Sequence, residues 1–439
     1  MMTGPAFLTA PEFHLRHRLP LPSLFVLALL LCGRLPTGQA AETVPLAGAG
    51  ELVGAVFTLA DQRLAVMPDV AAAKWASGQP ITDASREAIV IRAAGDGATA
   101  LGLGRTPVEA LFELQVRLAR ETQEALHARW RRDGYHEPGP VPSLANVLRP
   151  QLDRLTRELM QALYLAAPSS AGQDLAAIAA ERLPRQRWSD SARAEFVAAL
   201  AQVRLEGART PARARAAGLL RIGTPGDYAP FATLHDDRLE GSDVDLAVRL
   251  AATLGLRPVF IASRWGTLVD DLQADRFDLA IGGISITEAR RTRASFSLPL
   301  ARGGKTAIGR CRDRDRLATW AAIDHDGVRI IENAGGTNEG FARRQLRHAA
   351  LLIHPDNRTV FAELSADRAD VMFTDDTEIA LVTHQRPELC RLLSELYDPA
   401  EKAILLPHDG GWTEEVDGWL RQALAQGLPA ALLAEHLAR

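Results

Sequence analysis

The stretch from 220 to 255, "LRIGTPGDYAPFATLHDDRLEGSDVDLAVRLAATLG", decides the fold class. An apolar run leads into a loop rich in Gly and Pro. That loop leads into a segment whose apolar residues fall at helical spacing. The order recurs downstream, where the short runs "RPVFIA", "FDLAIGG", "KTAIGR", "VRIIENA", "ALLIHP", "ADVMFTD" and "KAILLP" alternate with amphipathic helical runs. This alternation predicts βαβ units on largely parallel sheets, so 219–439 reads as an α/β region. Its logic repeats on either side of "GKTAIGR", which predicts two lobes with a cleft between them, the second spanning about 312–398. Ligands of such sheets sit at strand C-terminal ends, so "TPGDYAPF", "GGISIT", "AGGTNE" and "FTDD" should converge there.

Upstream the period changes. From 51 to about 205 the apolar residues keep helical spacing and no convincing strand is present. Breaks such as "SGQP" and "GYHEPGPVPS" separate helices expected near 48–77, 83–94, 106–132, 143–166, 170–182 and 189–205. The reading is an all-helical domain over 41–205, joined by a linker over 206–218, "EGARTPARARAAG", which has no apolar stripe. Residues 1–40 read as a secretory signal peptide. Arg16 and Arg18 precede the apolar run Leu24 to Leu31, and Gly38 and Ala40 stand at cleavage-type spacing. A short membrane anchor is the other reading, but the run falls well below the roughly 20 residues a bilayer span needs.

A chain of 439 residues with 47% hydrophobic content can bury more than one core. Its net charge of −4 and 5% aromatic content give nucleic-acid binding no support. Signal cleavage removes Cys32 and leaves Cys311 and Cys390 in an exported chain, which suggests either a disulfide or two buried thiols. No CxxC and no His/Cys cluster is present, so neither a metal site nor a cofactor is expected.

Arg63 and Lys74 lie eleven residues apart, which at about 100° per residue sets both cations on one helix face. Asp83, Arg86 and Glu87 share another face at i, i+3 and i+4. Gln123 lies on the long third helix and Arg149 opens the fourth. Singly, such residues are most often solvated surface charges. Together, "DQRLAVMPDVAAAKW", "ITDASRE" and "LFELQVRLARETQ" resemble the secreted gamma subclass of AroQ chorismate mutases over about 48–205. The resemblance implies that Arg63 and Arg149 hold the carboxylates of chorismate, Lys74 and Gln123 its ether oxygen, and Glu87 its ring hydroxyl. Arg86 would support the carboxylate site and Asp83 would orient it. Val90 and Ala119 depart from relatives that carry polar groups there. A homodimer is implied only by analogy.

In the α/β half, the opening stretch resembles the type II periplasmic solute-binding fold of amino-acid receptors. In that family Tyr228 and Trp265 would line the cleft and Arg290 would bind a ligand carboxylate. Further motifs ("GDYAPF", "RFDLAIGGISIT", "GGKTAIGRC", "AGGTNEGFAR", "HPDN", "PELC", "AEKAILLP") resemble cyclohexadienyl dehydratase. That resemblance implies activity on prephenate and arogenate in a periplasmic enzyme. Glu339 would be the general acid, and Ser285, Arg290, Thr337 and Asn338 would surround the substrate. Lys305 and Lys402, both near the hinge strands, would be weaker candidates for substrate contact. Asp375 occupies the position that holds an amino group in the receptors, so it either favours arogenate or shapes the pocket. The competing expectation is an amino-acid-binding receptor with a helical appendage.

Overall fold

The computed structural model describes residues 44–134, 140–206 and 211–439. The expected signal peptide and residues 207–210 of the expected linker lie outside them.

Among the described residues, seven α-helices build the N-terminal half: α1 (Ala49–Ala65), α2 (Met67–Ser77), α3 (Ala84–Ala100), α4 (Arg105–Asp133), α5 (Arg149–Ala166), α6 (Leu175–Arg182) and α7 (Asp190–Leu200). Helix α1 is central, with Leu52, Val53, Val56, Phe57, Leu59 and Ala60 all buried. The single helix expected over 48–77 is broken at Val66. Pro68 has no N–H to return to the Leu64 carbonyl and its ring crowds the preceding turn, so a new helix starts with Pro68 in its first turn. Helix α3 runs on to Ala100, beyond the expected 94, and the last helix stops at Leu200 rather than near 205.

The C-terminal half has two lobes. In the first, the strands run in the order Leu46–Ala47, Arg257–Ala262, Leu219–Thr224, Leu279–Ala280, Leu405–Leu406 and Ser295–Phe296. The first three pairings are parallel, and Leu405–Leu406 lies antiparallel to both neighbours. The second lobe orders Ala350–His354, Arg329–Asn333, Val371–Asp375, Ala301–Arg310 and Leu389–Arg391. Strand Ala301–Arg310 also pairs antiparallel with Tyr397–Lys402, and these two strands carry the chain between the lobes. Cys311 and Cys390 are joined by a disulfide in the second lobe, across 79 residues of sequence.

Two expectations about boundaries need correction. Leu46 and Ala47, placed in the all-helical domain by sequence, form an edge strand beside Phe260 and Ile261 of the first lobe. The helical half is thus inserted between an edge strand and the rest of that lobe's sheet, and the strand covers backbone groups that the lobe would otherwise expose. Second, part of the linker is a helix, Ala212–Ala217, ended by Gly218 in the left-handed conformation. It is anchored by Arg213, which is buried and ion-paired to Asp275.

The halves also share apolar packing, with Leu163 and Leu165 in one cluster with Leu219, Val259, Ile261 and Phe277. At this junction Arg221, fully buried, places its guanidinium 4.5 Å from the Tyr164 ring centroid and 2.7 Å from Asp278. Gln161 donates to the Ala217 carbonyl at 2.8 Å, and Arg276 to Ser169 at 3.1 Å.

Candidate active sites

The first site is a cavity among α1 to α5. Arg63, Lys74, Asp83, Arg86, Glu87 and Gln123 line one part of it. Arg149 lines a second part, which shares Arg63, Lys74, Asp83 and Arg86 with the first. The kink at Pro68 therefore leaves Arg63 and Lys74 facing the same space.

Burial holds the Arg63 guanidinium below its ordinary pKa, at about 10. It donates to the Leu152 carbonyl at 3.3 Å and to Thr156, and lies 5.1 Å from the Phe112 ring centroid, while its Nε has no partner. Lys74 donates to the Ile81 carbonyl at 2.7 Å. Burial also lowers its pKa, a shift opposed by Asp83 and Glu87. Asp83 caps α3 by accepting from Arg86 N at 3.0 Å, which fixes the turn carrying Arg86 and Glu87. Glu87 is ion-paired to Arg120 at 3.3 Å. Gln123 donates to the Ala119 carbonyl at 3.0 Å and leaves its Oε1 unbonded. The cavity therefore concentrates cations and amides, suited to an anion and to a polar atom on which charge develops.

The second site lies between the lobes. Tyr228, Trp265, Ser285, Arg290, Thr337, Asn338 and Asp375, all expected from sequence, line it together with Asn333, Asn357 and Lys402. The lobes meet closely at its mouth. Gly335 has φ +74°, and a Cβ there would stand 2.7 Å from Gly266 N, so a side chain would push the lobes apart. Buried Asp243 pins the "GGIS" loop by accepting from the N–H groups of Gly282 and Gly283, at 3.0 and 2.8 Å.

Arg290 donates to the Ser285 carbonyl at 2.8 Å and lies 5.9 Å from the Trp265 ring centroid. Burial lowers its pKa to about 10. Among the described residues no carboxylate pairs with it, so it can receive one from a ligand. Asp375 is fully engaged: Lys402 donates to it at 2.6 Å, Lys305 stands 3.5 Å away and Tyr228 also donates. Burial alone would raise its carboxyl, but these partners hold it well below the usual carboxylate range.

The structure departs from two of the site expectations. Lys305 does not line the cleft; it sits behind Thr337 and Asn338, donating to them at 3.1 and 2.5 Å. Its strand position opposite Asp375 aims it inward. Lys402 is the lysine that reaches the cleft. Glu339 does not line the cleft either. Its carboxylate accepts from Gly335 N at 2.7 Å and from Arg343 at 2.7 Å. The Gly335 N–H first, and then Arg343, lower its pKa, so it is held ionised here.

Sequence reading missed two acids beside the cleft. Burial raises Asp227 to about 6, opposed by a 2.8 Å bond from Trp265 Nε1. It also raises Glu378 to about 8, opposed by a bond from Thr374. Glu378 shares the "FTDDTE" run with Asp375 but gives no signal of its burial.

A model of bacterial extracellular solute-binding proteins, family 3, matches residues 220–437, and one of chorismate mutase type II matches 55–124. Over 213 residues the chain is 45% identical to the cyclohexadienyl dehydratase of Pseudomonas aeruginosa, covering 48% of this chain and 80% of that protein. The chain belongs to the cyclohexadienyl dehydratase family. Similarity to receptors is weaker: the L-cystine-binding protein of Escherichia coli K12 is 24% identical over 43% of this chain and 71% of its own length. Among solved structures, an ancestral amino acid-binding protein described as a precursor of cyclohexadienyl dehydratase is 26% identical, with a TM-score of 0.47. That match covers 50% of this chain and 96% of the ancestral protein. What sets this member of the cyclohexadienyl dehydratase family apart from the Pseudomonas protein's matched region is the helical domain with its own chorismate mutase match.

Proposed function

We propose that the chain catalyses two consecutive reactions, conversion of chorismate to prephenate in the helical domain and decarboxylative dehydration of prephenate between the lobes. The observation that carries this is the pairing of a dehydratase-family half with a separate cavity holding Arg63, Lys74, Arg86, Arg149 and Gln123.

In the first reaction an ether C–O bond breaks as a C–C bond forms within one molecule, so no nucleophile and no proton transfer is required. Holding the compact conformer and donating to the ether oxygen suffice. Arg63 and Arg149 hold the carboxylates, Lys74 and Gln123 face the ether oxygen, and Glu87 holds the ring hydroxyl.

In the second reaction the bond to the ring carboxylate breaks and its electron pair enters the ring. The ring hydroxyl accepts a proton and leaves as water, while CO2 departs. Arg290, Thr337 and Asn338 hold carboxylates. Glu339 supplies the proton after releasing Gly335 and Arg343, and the charge of a bound dianion favours its protonated form. Prephenate suits the cleft better than arogenate. Asp375, which would bind a ligand ammonium, already binds Lys402, so the cleft offers a dianion Arg290 and Lys402, with Lys305 behind Thr337 and Asn338, against the one carboxylate of Asp375. The same occupation of Asp375 argues against an amino-acid receptor. Export to the periplasm fits the solute-binding fold and the N-terminal segment, and a homodimer is the assembly suggested by the mutase half.

Feeding chorismate alone near neutral pH tests the whole scheme. Phenylpyruvate is expected from the wild type, prephenate from Glu339→Gln, and unused chorismate from Lys74→Ala. Normal phenylpyruvate formation by Glu339→Gln would remove Glu339 as the acid.

A further inference from the structure

We infer that Gln115 is a further substrate-binding residue of the chorismate cavity, donating through its amide to the carboxylate that Arg63 holds; this rests on the mutase reading above. Gln115 lines the cavity and is only 2% exposed, and neither its Nε2 nor its Oε1 has a hydrogen-bond partner. A buried amide with both ends unbonded is rare, and it calls for a partner that the protein alone does not supply.

The neighbours indicate that partner. Arg63 Nε and Gln123 Oε1, of two residues that line the same cavity, are also buried and unbonded. Phe112, whose ring lies 5.1 Å from the Arg63 guanidinium carbon, precedes Gln115 by three residues on α4 and so shares its face. One turn further along α4, Ala119 also lines the cavity and presents only a methyl group, and the inferred arrangement has the Gln115 amide turned into that cavity. In that position Oε1 accepts from Arg63 Nε–H and the NH2 donates to the substrate carboxylate. Arg63 Nε and both ends of the Gln115 amide then lose their unbonded state together. Of the other polar groups that α4 brings to this cavity, Arg120 is ion-paired to Glu87 and the Gln123 amide donates to the Ala119 carbonyl, whereas the Gln115 amide is uncommitted.

The opposing possibility is that Gln115 is a core residue that merely tolerates its burial. Replacement by an apolar isostere separates the two, because deleting an unused buried amide is neutral or stabilising, whereas deleting one that substrate uses costs binding. The test is Gln115→Leu in the full-length chain, with chorismate saturation kinetics, a melting curve and turnover of added prephenate. Expected are a KM for chorismate raised at least tenfold, a Tm equal to or above that of the wild type, and unchanged prephenate turnover. Chorismate kinetics within twofold of the wild type, with an equal or higher Tm, would overturn the inference. Should the Leu variant also lose prephenate turnover, Gln115→Met is read by the same criteria. If the wild type itself leaves chorismate unchanged, the mutase reading fails rather than the role of Gln115.

Discussion

Lys402 Nζ stands 2.6 Å from Asp375 Oδ2, in a cleft where the same carboxylate also receives Tyr228 and has Lys305 3.5 Å away. On the proposed reading of Asp375, a cation of the protein therefore takes the position that a ligand ammonium would take. Removing it in Lys402→Met frees one face of Asp375 for an amino group. The ratio of kcat/KM for arogenate to that for prephenate is expected to rise at least tenfold, equivalent to about 1.4 kcal/mol. Parallel assays with both substrates check this. An unchanged ratio would mean that the side-chain amino group is read elsewhere.

The mutase reaction should be insensitive to pH through neutrality, because Gln123 does not titrate. Its limit lies on the alkaline side. Burial lowers the Lys74 pKa, and on the proposed assignment loss of its proton removes the positive charge aimed at the ether oxygen, so kcat/KM is expected to fall at a lower pH than an ordinary lysine would give. In Gln123→Glu the new carboxyl donates only when protonated, so activity becomes acid-dependent across roughly the range in which carboxyls titrate. Profiles of kcat/KM for both forms decide the point, and a steep fall between about pH 6 and 8 in the wild type would count against the assignment.

The change of hydrophobic period near 205 to 219 made the two halves legible, and helical spacing brought Asp83, Arg86 and Glu87 to one cavity, which Arg63 and Lys74 reach from two successive helices rather than from the single helix expected. What stayed hidden has physical reasons. Two residues, Leu46 and Ala47, are too few to show an alternation of period two, so their pairing with Phe260 and Ile261 is a tertiary fact. Arg221 reads as an interruption in an apolar strand, because Asp275, Asp278 and Tyr164, which pay for its burial, are distant in sequence. Lys305 and Lys402 both lie on the crossing strands, and strand register decides which one enters the cleft. Gln115 carries no charge and sits among apolar neighbours on α4, so only its unbonded atoms single it out.

Burial raises the Glu378 pKa to about 8, against the ordinary value that the unfolded chain retains. Between those two values the folded state binds more protons than the unfolded one, so this group lowers stability progressively as pH rises from about 4.5 toward 8. Glu378→Gln keeps an acceptor for Thr374 and cannot ionise. Its Tm advantage over the wild type is expected to be small near pH 5 and several degrees near pH 8, at about 2–4 °C per kcal/mol for a domain of this size. A Tm difference independent of pH would show that Glu378 does not ionise in this range.

The Arg221 guanidinium joins the halves, lying against Tyr164 of the helical domain while bound to Asp278 and Asp275 of the first lobe. Arg221→Met fills much of the same volume but leaves Asp278, fully buried, without its cation. Breaking a buried pair from one side costs about 3–5 kcal/mol. The expected result is a Tm lowered by on the order of 10 °C. Because the apolar cluster crosses the junction, chorismate and prephenate turnover should be lost at the same temperature. Adding Asp278→Asn removes the stranded charge and keeps an acceptor for Arg221 N, now the backbone of Met in the double variant, so part of the loss returns. Thermal inactivation followed with both substrates tests the coupling. Loss of one activity well before the other would mean that the halves unfold independently despite this junction.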